Sequence, residues 1–316
     1  MTFGFVVTIA VFLGLLIFFI NEMRHLAQGA RESRGSRWRK RLHLVFLAVL
    51  VLFGGLAIWT FFIEPNRLVI HYETLELEQW PVALSDLKIA VLSDIHAGSR
   101  FIDDQKLRLI VERTNQLKPD LIIILGDYVS GRRPHHGMEP EAFAPPLRDF
   151  GAPLGVYTVL GNHDWWFDGN RVRAVLEANG FKVLENDVAR LEARGVSFWI
   201  AGLADLWTRP QEIPQTIARV PDGEPVIAIT HNPDIFPRLP QRVPLLLAGH
   251  THGGQVRFPL IGTVVHTSDF GQRYEAGHVF ENGHHLFVST GIGTSIIPVR
   301  FRVPPEIVLL TLKAKN

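Results

Sequence analysis

The sequence contains no cysteine among its 316 residues. This absence excludes thiolate nucleophiles and thiolate metal ligands, so any bound metal ion must be held by nitrogen and oxygen atoms. The chain also lacks an excess of positive charge, since its formal net charge is only +1. We therefore expect no specific nucleic-acid binding. Internal repeats and low-complexity tails are also missing. Length and composition therefore predict a chain with a sizeable core and with chemistry based on His, Asp and Asn side chains.

Two long apolar runs are present at the N-terminal end. Residues 1–20 and 44–63 are each without a charged side chain, and a helix of that length spans ~30 Å, the thickness of a bilayer core. Both runs are predicted to be transmembrane helices. A cleavable signal peptide is the alternative for the first run, but that run lacks a basic start and is not followed by a clear small-residue cleavage site. The sequence thus predicts a membrane anchor over 1–63 and a separate domain over 64–316.

The segment between the two runs is basic. Residues 21–43 hold seven Arg and Lys side chains against two Glu, a local charge of +5. Short basic loops stay in the cytoplasm, which predicts a two-pass protein of the cell (inner) membrane with its large domain on the periplasmic or extracellular face. If the basic run is simply a solvated loop, the topology stays open.

From residue 64 onward, short apolar runs alternate with helical patterns, which is typical of an α/β or α+β domain. Helical stripes fall between the first two predicted strands, ending before Pro119, and between the third and fourth, ending before Gly180. Residues 131–146, rich in Pro and Gly, are predicted to be a long loop. The predicted strands are 88–93, 121–125, 156–160, 198–202, 226–230, 244–248 and 286–290.

Metal-type side chains follow five of these strands directly. Such residues are weak indicators one at a time, but sites in α/β proteins are built at the carboxyl ends of strands. Hard oxygen and imidazole ligands in this number suit two divalent cations better than one. A single structural zinc is the simpler alternative, but it needs only four ligands. The five blocks are Asp94-x-His96, Gly126-Asp127, Gly161-Asn162-His163-Asp164, His231 and Gly249-His250-Thr251-His252.

This ordered series resembles the calcineurin-like metallophosphoesterase superfamily over about residues 86–312. The N-terminal apolar runs and the GHTHGGQ form of the last block resemble its bacterial membrane-anchored branch, which is related to UDP-diacylglucosamine hydrolases. The resemblance implies an α/β fold with four layers, in which helices flank a sandwich of two mixed β-sheets.

The same resemblance implies a dinuclear metal site. One ion would be held by Asp94, His96, Asp127 and His252, and the other by Asp127, Asn162, His231 and His250. Asp127 would bridge the two ions, one carboxylate oxygen facing each. A metal-bridging hydroxide would attack phosphorus in line. His163 would bind the phosphoryl oxygens and stabilise the leaving oxygen, and Asp164 would either orient His163 or have a structural role.

These observations predict a membrane-anchored dimetal phosphohydrolase that cleaves a phosphodiester or phosphomonoester. Its partners would be a phosphoester substrate, lipid- or nucleotide-linked, and the bilayer itself. Its cofactors would be two divalent ions, with Mn, Fe, Zn and Mg all open. A UDP-2,3-diacylglucosamine pyrophosphatase-like hydrolase of lipid A synthesis is the alternative enzyme. A non-catalytic membrane-anchored binding protein is the alternative of another class.

Overall fold

The computed structural model describes residues 34–131 and 137–315, together with residues 17, 21 and 24. The chain divides into two compact units, Met1–Thr60 and Phe61–Asn316. The first predicted transmembrane run, 1–20, lies outside the described residues except for Ile17. In the first unit the described element is helix α1 (Arg34–Ile58), which is followed by a π-helical turn at Trp59–Ile63.

One helix in the described part of the chain, Trp38–Asn66, is long and apolar enough to cross a membrane. None of its apolar window is buried inside the protein, so the segment is not a core helix. It includes the predicted span 44–63.

The described part of the second unit contains two six-stranded sheets, four α-helices and a small hairpin. The helices are α2 (Asp104–Gln116), α3 (Pro140–Leu147), α4 (Asn162–Ala178) and α5 (Ile213–Ile217). The strands are β1 (Val69–Leu77), β2 (Leu87–Leu92), β3 (Leu121–Ile124), β4 (Val156–Thr158), β5 (Lys182–Val183), β6 (Asp187–Ala193), β7 (Val196–Gly202), β8 (Val226–Ile229), β9 (Leu245–Ala248), β10 (Arg257–Phe258), β11 (Gly262–Thr263), β12 (Gly277–Glu281), β13 (His284–Val288) and β14 (Glu306–Ala314).

Both sheets are mixed, which confirms that part of the predicted fold. The first has the order β1-β14-β2-β3-β4-β5, and only the β14–β2 pair is antiparallel. The second has the order β12-β13-β9-β8-β7-β6, with antiparallel pairs at its two edges. The parallel strands β2, β3 and β4 therefore end at one edge of the first sheet, and β8 and β9 end at one edge of the second.

The core follows from the alternation of side chains along each strand. In β2, Ile89 and Val91 face the second sheet, while Ala90 and Leu92 pack with the apolar side chains of the helices outside the first sheet. In β8, Ile227 and Ile229 face the first sheet in the same way. A third cluster packs α5 on the outer face of the second sheet. Two sheets with helices on both outer faces are the result.

One predicted loop is partly helical. Residues 140–147, which overlap the end of the predicted loop 131–146, form α3. Pro140 occupies the first helical turn, where its fixed φ favours a helix start, and Phe143 and Leu147 are buried against the core. Residues 132–136 lie outside the described part of the chain.

Candidate metal centre

The structure brings the predicted site residues to one place, at the carboxyl ends of the strands. Of the nine, only His163 is partly exposed. Asp94 and His96 follow β2, Asp127 follows β3, Asn162, His163 and Asp164 open α4 after β4, His231 follows β8, and His250 and His252 follow β9.

A first group of donor atoms surrounds Nε2 of His252. This nitrogen lies 3.0 Å from Nε2 of His96 and 3.3 Å from Oδ1 of Asp94. Nε2 of His96 lies 3.6 Å from Oδ2 of Asp127. Two ligand atoms that are each ~2.1 Å from one cation lie ~3 to 3.5 Å apart. The spacing of Asp94, His96 and His252 therefore fits a single divalent cation, and Asp127 lies next to His96.

A second group surrounds Nε2 of His231. This atom lies 3.1 Å from Oδ1 of Asn162, 3.1 Å from Nδ1 of His250 and 3.4 Å from Oδ2 of Asp127. Asp127 and His231, together with Asp94, lie close enough to one another to hold a cation, and Asn162 and His250 border His231.

Both groups converge on the same atom, Oδ2 of Asp127. The sequence interpretation expected one carboxylate oxygen to face each ion, and that expectation stays a prediction. Oδ1 accepts a hydrogen bond of 2.9 Å from the backbone amide of His163. That bond fixes the carboxylate orientation and leaves Oδ2 directed at both groups.

Hydrogen bonds set the tautomers of two of the imidazoles. Nδ1 of His96 lies 2.9 Å from the carbonyl oxygen of Val129, and Nδ1 of His231 lies 2.7 Å from that of Leu125. A carbonyl only accepts, so both Nδ1 atoms carry the proton, and in the neutral ring the lone pair is on Nε2. Burial lowers the pKa of His96 to about 4, which keeps that ring neutral and able to bind a metal.

Asp94 has an oxygen without a hydrogen bond. Its Oδ2 accepts hydrogen bonds from the hydroxyl of Ser93 and the backbone amide of His250, but its buried Oδ1 accepts none among the described residues. Burial raises the pKa of Asp94 to about 6. An unsatisfied buried oxygen close to His252 is the environment that a cation would satisfy.

The backbone of the centre is strained. Asp94, His96, Asp127, His250 and His252 all adopt left-handed backbone, with φ between 48° and 71°. Such a conformation costs on the order of 1–3 kcal/mol per non-glycine residue and is concentrated at functional sites. Strand periodicity carries no signal of this feature, so the sequence did not predict it.

Two glycines allow the backbone to approach the acidic residues closely. A Cβ on Gly161 would lie 2.2 Å from Oδ1 of Asp127, and a Cβ on Gly249 would lie 1.8 Å from Oγ of Ser93. No side chain can be accommodated at such distances without displacing Asp127 or the Ser93–Asp94 pair.

Asp164 binds the loop that carries Asp127. Its carboxylate accepts hydrogen bonds from the backbone amides of Asp127, Tyr128, Val129 and Gly161 at 2.8 to 3.1 Å. Burial, together with the charge of Asp127, raises its pKa to about 7, and the amide bonds act in the opposite direction. These bonds favour the structural role over the orientation of His163.

An aromatic wall, consisting of His163, Trp166, Trp207 and His250, borders the centre. The ring of His163 lies 5.1 Å from that of Trp166, which lies 6.3 Å from that of Trp207. Trp207 in turn stands edge-to-face against His250 at 4.3 Å. The sequence signal for Trp207 is only its place shortly after β7, and sequence reasoning missed it.

Arg300 is a second residue that sequence reasoning missed. It is fully buried, and burial lowers its pKa to about 10. Its guanidinium donates to the carbonyl oxygens of Thr290, Gly291, Gly293 and Val303. The amide of Gly293 donates to the carbonyl oxygen of Asp94 at 2.7 Å, so Arg300 organises a loop that packs on the centre.

This fold and this set of donors are typical of an enzyme that uses divalent cations. The model of one family, the calcineurin-like phosphoesterases, matches residues 87–254, which include every predicted site residue. The chain belongs to the calcineurin-like phosphoesterase family. It is accordingly a metal-dependent phosphoester hydrolase.

Curated relatives support the assignment. The chain is 32% identical over 258 residues to the uncharacterized metallophosphoesterase YkuE of Bacillus subtilis, covering 81% of this chain and 89% of that one. It is 29% identical to an uncharacterized metallophosphoesterase of Aquifex aeolicus, covering 80% and 95%. A transmembrane protein with metallophosphoesterase domain from Danio rerio is 28% identical, with coverage of 95% and 71%.

Among solved structures, the calcineurin-like phosphoesterase YfkN from Bacillus subtilis matches with a TM-score of 0.39 and 14% identity, covering 66% of this chain and 82% of that one. A novel archaeal phosphodiesterase matches with a TM-score of 0.34 and 14% identity, covering 65% and 84%.

Proposed function

We propose that this chain is a membrane-anchored dimetal phosphohydrolase that cleaves a phosphodiester or a phosphomonoester. The observation that carries the proposal is the convergence of two donor groups on Oδ2 of Asp127, 3.4 Å from His231 and 3.6 Å from His96. A structural site for a single metal ion needs only four ligands, so it would leave the second group of donors without a role.

The two groups define the ligands. We assign Asp94, His96, Asp127 and His252 to one ion, and Asp127, Asn162, His231 and His250 to the other. His250 contributes Nδ1 and His252 contributes Nε2, because these are the atoms directed at their respective groups. Thr251 separates His250 from His252, so that the two histidines of GHTH are assigned to neighbouring ions.

Two divalent ions in this site, when bound, supply a nucleophilic hydroxide at neutral pH and positive charge for the phosphoryl oxygens. The protein residues position the reaction. Asp164 holds the Asp127 loop through three amide bonds, and Arg300 holds the loop that packs against Asp94.

His163 has a ring nitrogen within 4.8 Å of donor atoms of His96 and Asp127, and we assign it to neither ion. It is partly exposed, and its ring stands edge-to-face against His96 at 4.8 Å. Its Nε2 lies 3.5 Å from the hydroxyl oxygen of Ser295. We assign His163 to binding the phosphoryl oxygens and to stabilising the leaving oxygen, by hydrogen bonding or proton donation. The ring of Trp166 lies beside this position, 5.1 Å from that of His163.

Membrane anchoring is part of the proposal. The span Trp38–Asn66 supports it, as does the Danio rerio relative that is named a transmembrane protein. With 1–20 as a first span and the basic segment 21–43 in the cytoplasm, the positive-inside rule places the catalytic domain on the outer face. A reporter fused after residue 316 tests this topology. A cytoplasmic reporter would contradict it and would favour the UDP-diacylglucosamine alternative.

The enzymatic proposal is tested with the full chain, purified in detergent and supplied with manganese. We expect metal-dependent hydrolysis of bis-p-nitrophenyl phosphate or of p-nitrophenyl phosphate, and its loss both on chelation and in Asp127→Ala. The matched control is Asp168→Asn, an exposed acidic residue of the same region, which should leave turnover unchanged. No turnover on either substrate would contradict the proposal and favour a non-catalytic binding protein.

A further inference from the structure

Two exposed apolar loops follow the last donor residue in the chain. One is the β10–β11 hairpin, whose tip carries Leu260 and Ile261 and which continues to Val264 and Val265. The other carries Ile296 and Ile297. We call these six side chains the apolar rim. Leu260 and Ile296 are essentially completely exposed, at 107% and 93%. Exposed apolar side chains clustered on two adjacent loops indicate an interaction surface.

The rim is joined to the metal centre by a compact set of hydrogen bonds. Gln255, three residues after His252, accepts a bond from the amide of Ser295 at 2.8 Å and donates to its carbonyl oxygen at 3.0 Å. The amide of Arg257 donates to the carbonyl oxygen of Phe301 at 2.9 Å. Ser295 is the residue whose hydroxyl approaches His163. The two loops therefore leave from a common base beside the centre.

The charge of these loops is of one sign. Segments 255–268 and 290–303 contain no acidic residue, and their Arg and Lys side chains are Arg257, Arg300 and Arg302. Arg300 is buried, while Arg257 and Arg302 are exposed. Apolar side chains with basic residues beside them are complementary to an anionic bilayer surface, where the apolar groups enter the acyl boundary and the cations bind headgroups.

Two residues of the apolar rim have a backbone conformation that is unfavourable for their residue type. Leu260 has φ 69° and Ile296 has φ 62°. Gly and Asn adopt this left-handed conformation readily, whereas a β-branched residue there is an outlier. Ile296 has this unfavourable backbone conformation and its side chain is exposed to solvent, so it does not contribute to the stability of the isolated domain.

The first strand of the catalytic unit, β1, begins at the edge of the first sheet where β2 ends and the metal centre lies. Val69, at the start of β1, pairs with Glu306 at the start of β14. Because β14 is antiparallel to β2, with Val308 opposite Val91, Glu306 lies at the end of β2 that leads into Asp94. The last residue of the candidate span, Asn66, is bound through its carbonyl oxygen to Nζ of Lys106 at 3.0 Å. The first residues of the catalytic unit and the metal centre thus lie at one edge of the first sheet.

We propose that the apolar rim inserts into the bilayer that anchors the chain and brings the metal centre to headgroup level, where the substrate is the phosphoester of a membrane lipid. This inference rests on the proposed function for its chemistry, but the insertion itself can be measured without turnover. Its physical basis is apolar burial at Leu260 and Ile296 together with attraction of Arg257 and Arg302 to anionic headgroups.

The absence of cysteine allows a site-specific test. The full chain is reconstituted in nanodiscs of phosphatidylcholine and phosphatidylglycerol, with Leu260→Cys or Ile296→Cys carrying an environment-sensitive NBD label. Val82→Cys is the matched control, because Val82 is also an exposed apolar residue, at 75%, but lies before the start of β2 at the opposite edge. We expect a blue shift and quenching by spin-labelled lipids at 260 and 296, and neither effect at 82.

Labels at 260 and 296 that are unquenched by lipid would overturn the insertion. A blue shift that depends on protein concentration and not on quencher lipid would also overturn it, because it would indicate contact with a second copy of the chain. Turnover of bis-p-nitrophenyl phosphate by the same samples reports separately on the proposed function, so the two failures are distinguishable.

The substrate is tested in the same discs. Leu260→Ser combined with Ile296→Ser should lower hydrolysis of disc-embedded phosphatidic acid or phosphatidylglycerol by at least about ten-fold. The same variant should leave soluble bis-p-nitrophenyl phosphate turnover within about two-fold, as should the control Val82→Ser with both substrates. Hydrolysis of the soluble ester with none of either lipid would overturn the lipid assignment.

Discussion

The backbone amide of Asp127 donates a hydrogen bond of 2.8 Å to Oδ2 of Asp164, 37 residues further along the chain. Asp164 thereby holds in place a residue whose backbone is left-handed and whose carboxylate serves both donor groups. The strained loop is stable because each oxygen of Asp164 accepts two amide bonds.

Asp164→Asn should weaken the centre without removing a ligand. The asparagine amide presents an NH₂ group to backbone N–H donors, so part of the bonding to the Asp127 loop is lost. We expect metal affinity and turnover to fall about 10- to 100-fold, the usual effect of losing a residue that orients ligands. Metal titration by calorimetry, with kcat and KM measured separately, checks this. Unchanged metal affinity would contradict the positioning role.

Gly161→Ala should disable the enzyme through sterics alone. The new Cβ would lie 2.2 Å from Oδ1 of Asp127 and must displace that carboxylate. A displacement near 1 Å costs about 100-fold in rate. Gly151→Ala is the control, because its Cβ would have only ordinary contacts, at 3.7 Å from Asn115. Equal turnover in the two variants would show that Asp127 tolerates the shift.

His163→Gln should separate chemistry from metal binding. Since the proposal assigns His163 to neither ion, we expect the variant to keep the wild-type metal content while kcat falls about 10²- to 10⁴-fold, the usual contribution of an acid–base group. His231→Gln, a change of the same kind within a donor group, should lose metal as well. Metal analysis beside single-turnover rates distinguishes them, and loss of metal in His163→Gln would identify that residue as a ligand.

A pH-dependent contribution to stability is expected at His71, which is not one of the predicted site residues. Its hydrogen bond of 3.1 Å to Glu306 raises its pKa above 6.5. The pair therefore stabilises the fold fully below about pH 6.5, and this stabilisation is lost as pH rises through the raised folded-state pKa. With the side chain 37% exposed, solvent screening limits the effect to under about 1 kcal/mol.

Thermal unfolding of wild type and His71→Asn tests this contribution. The wild type should be the more stable protein near about pH 5.5, and the two should converge near about pH 8.5. A constant difference across that range would assign the effect to packing of the ring instead of its charge.

Much of the site could be predicted because the signal is local. Each apolar strand such as 244–248 runs directly into its ligand, and parallel strands end at one edge, so the order of the blocks implies their proximity. The seven predicted strands correspond to β2, β3, β4, β7, β8, β9 and β13. The other seven strands were missed, including β14, which carries the apolar run 307–310, and β1, in which polar and apolar residues are mixed.

What could not be predicted depends on tertiary contacts. The left-handed backbone at Asp94 and His252, the use of one oxygen of Asp127 for both groups, and the amide bonds of Asp164 arise from segments far apart in sequence. Trp207 reaches His250 only because β7 and β9 flank β8 in one sheet. Periodicity reports the face of a strand and carries no information on these distances.

The central claim, that two cations share Asp127, is tested most directly by electron paramagnetic resonance of the manganese-loaded chain with parallel metal analysis. Two Mn²⁺ ions about 3.5–4 Å apart should give an exchange-coupled spectrum and two ions per chain. His250→Ala and His252→Ala should each leave one uncoupled ion. A wild-type chain that binds a single manganese ion with an uncoupled spectrum would contradict the account.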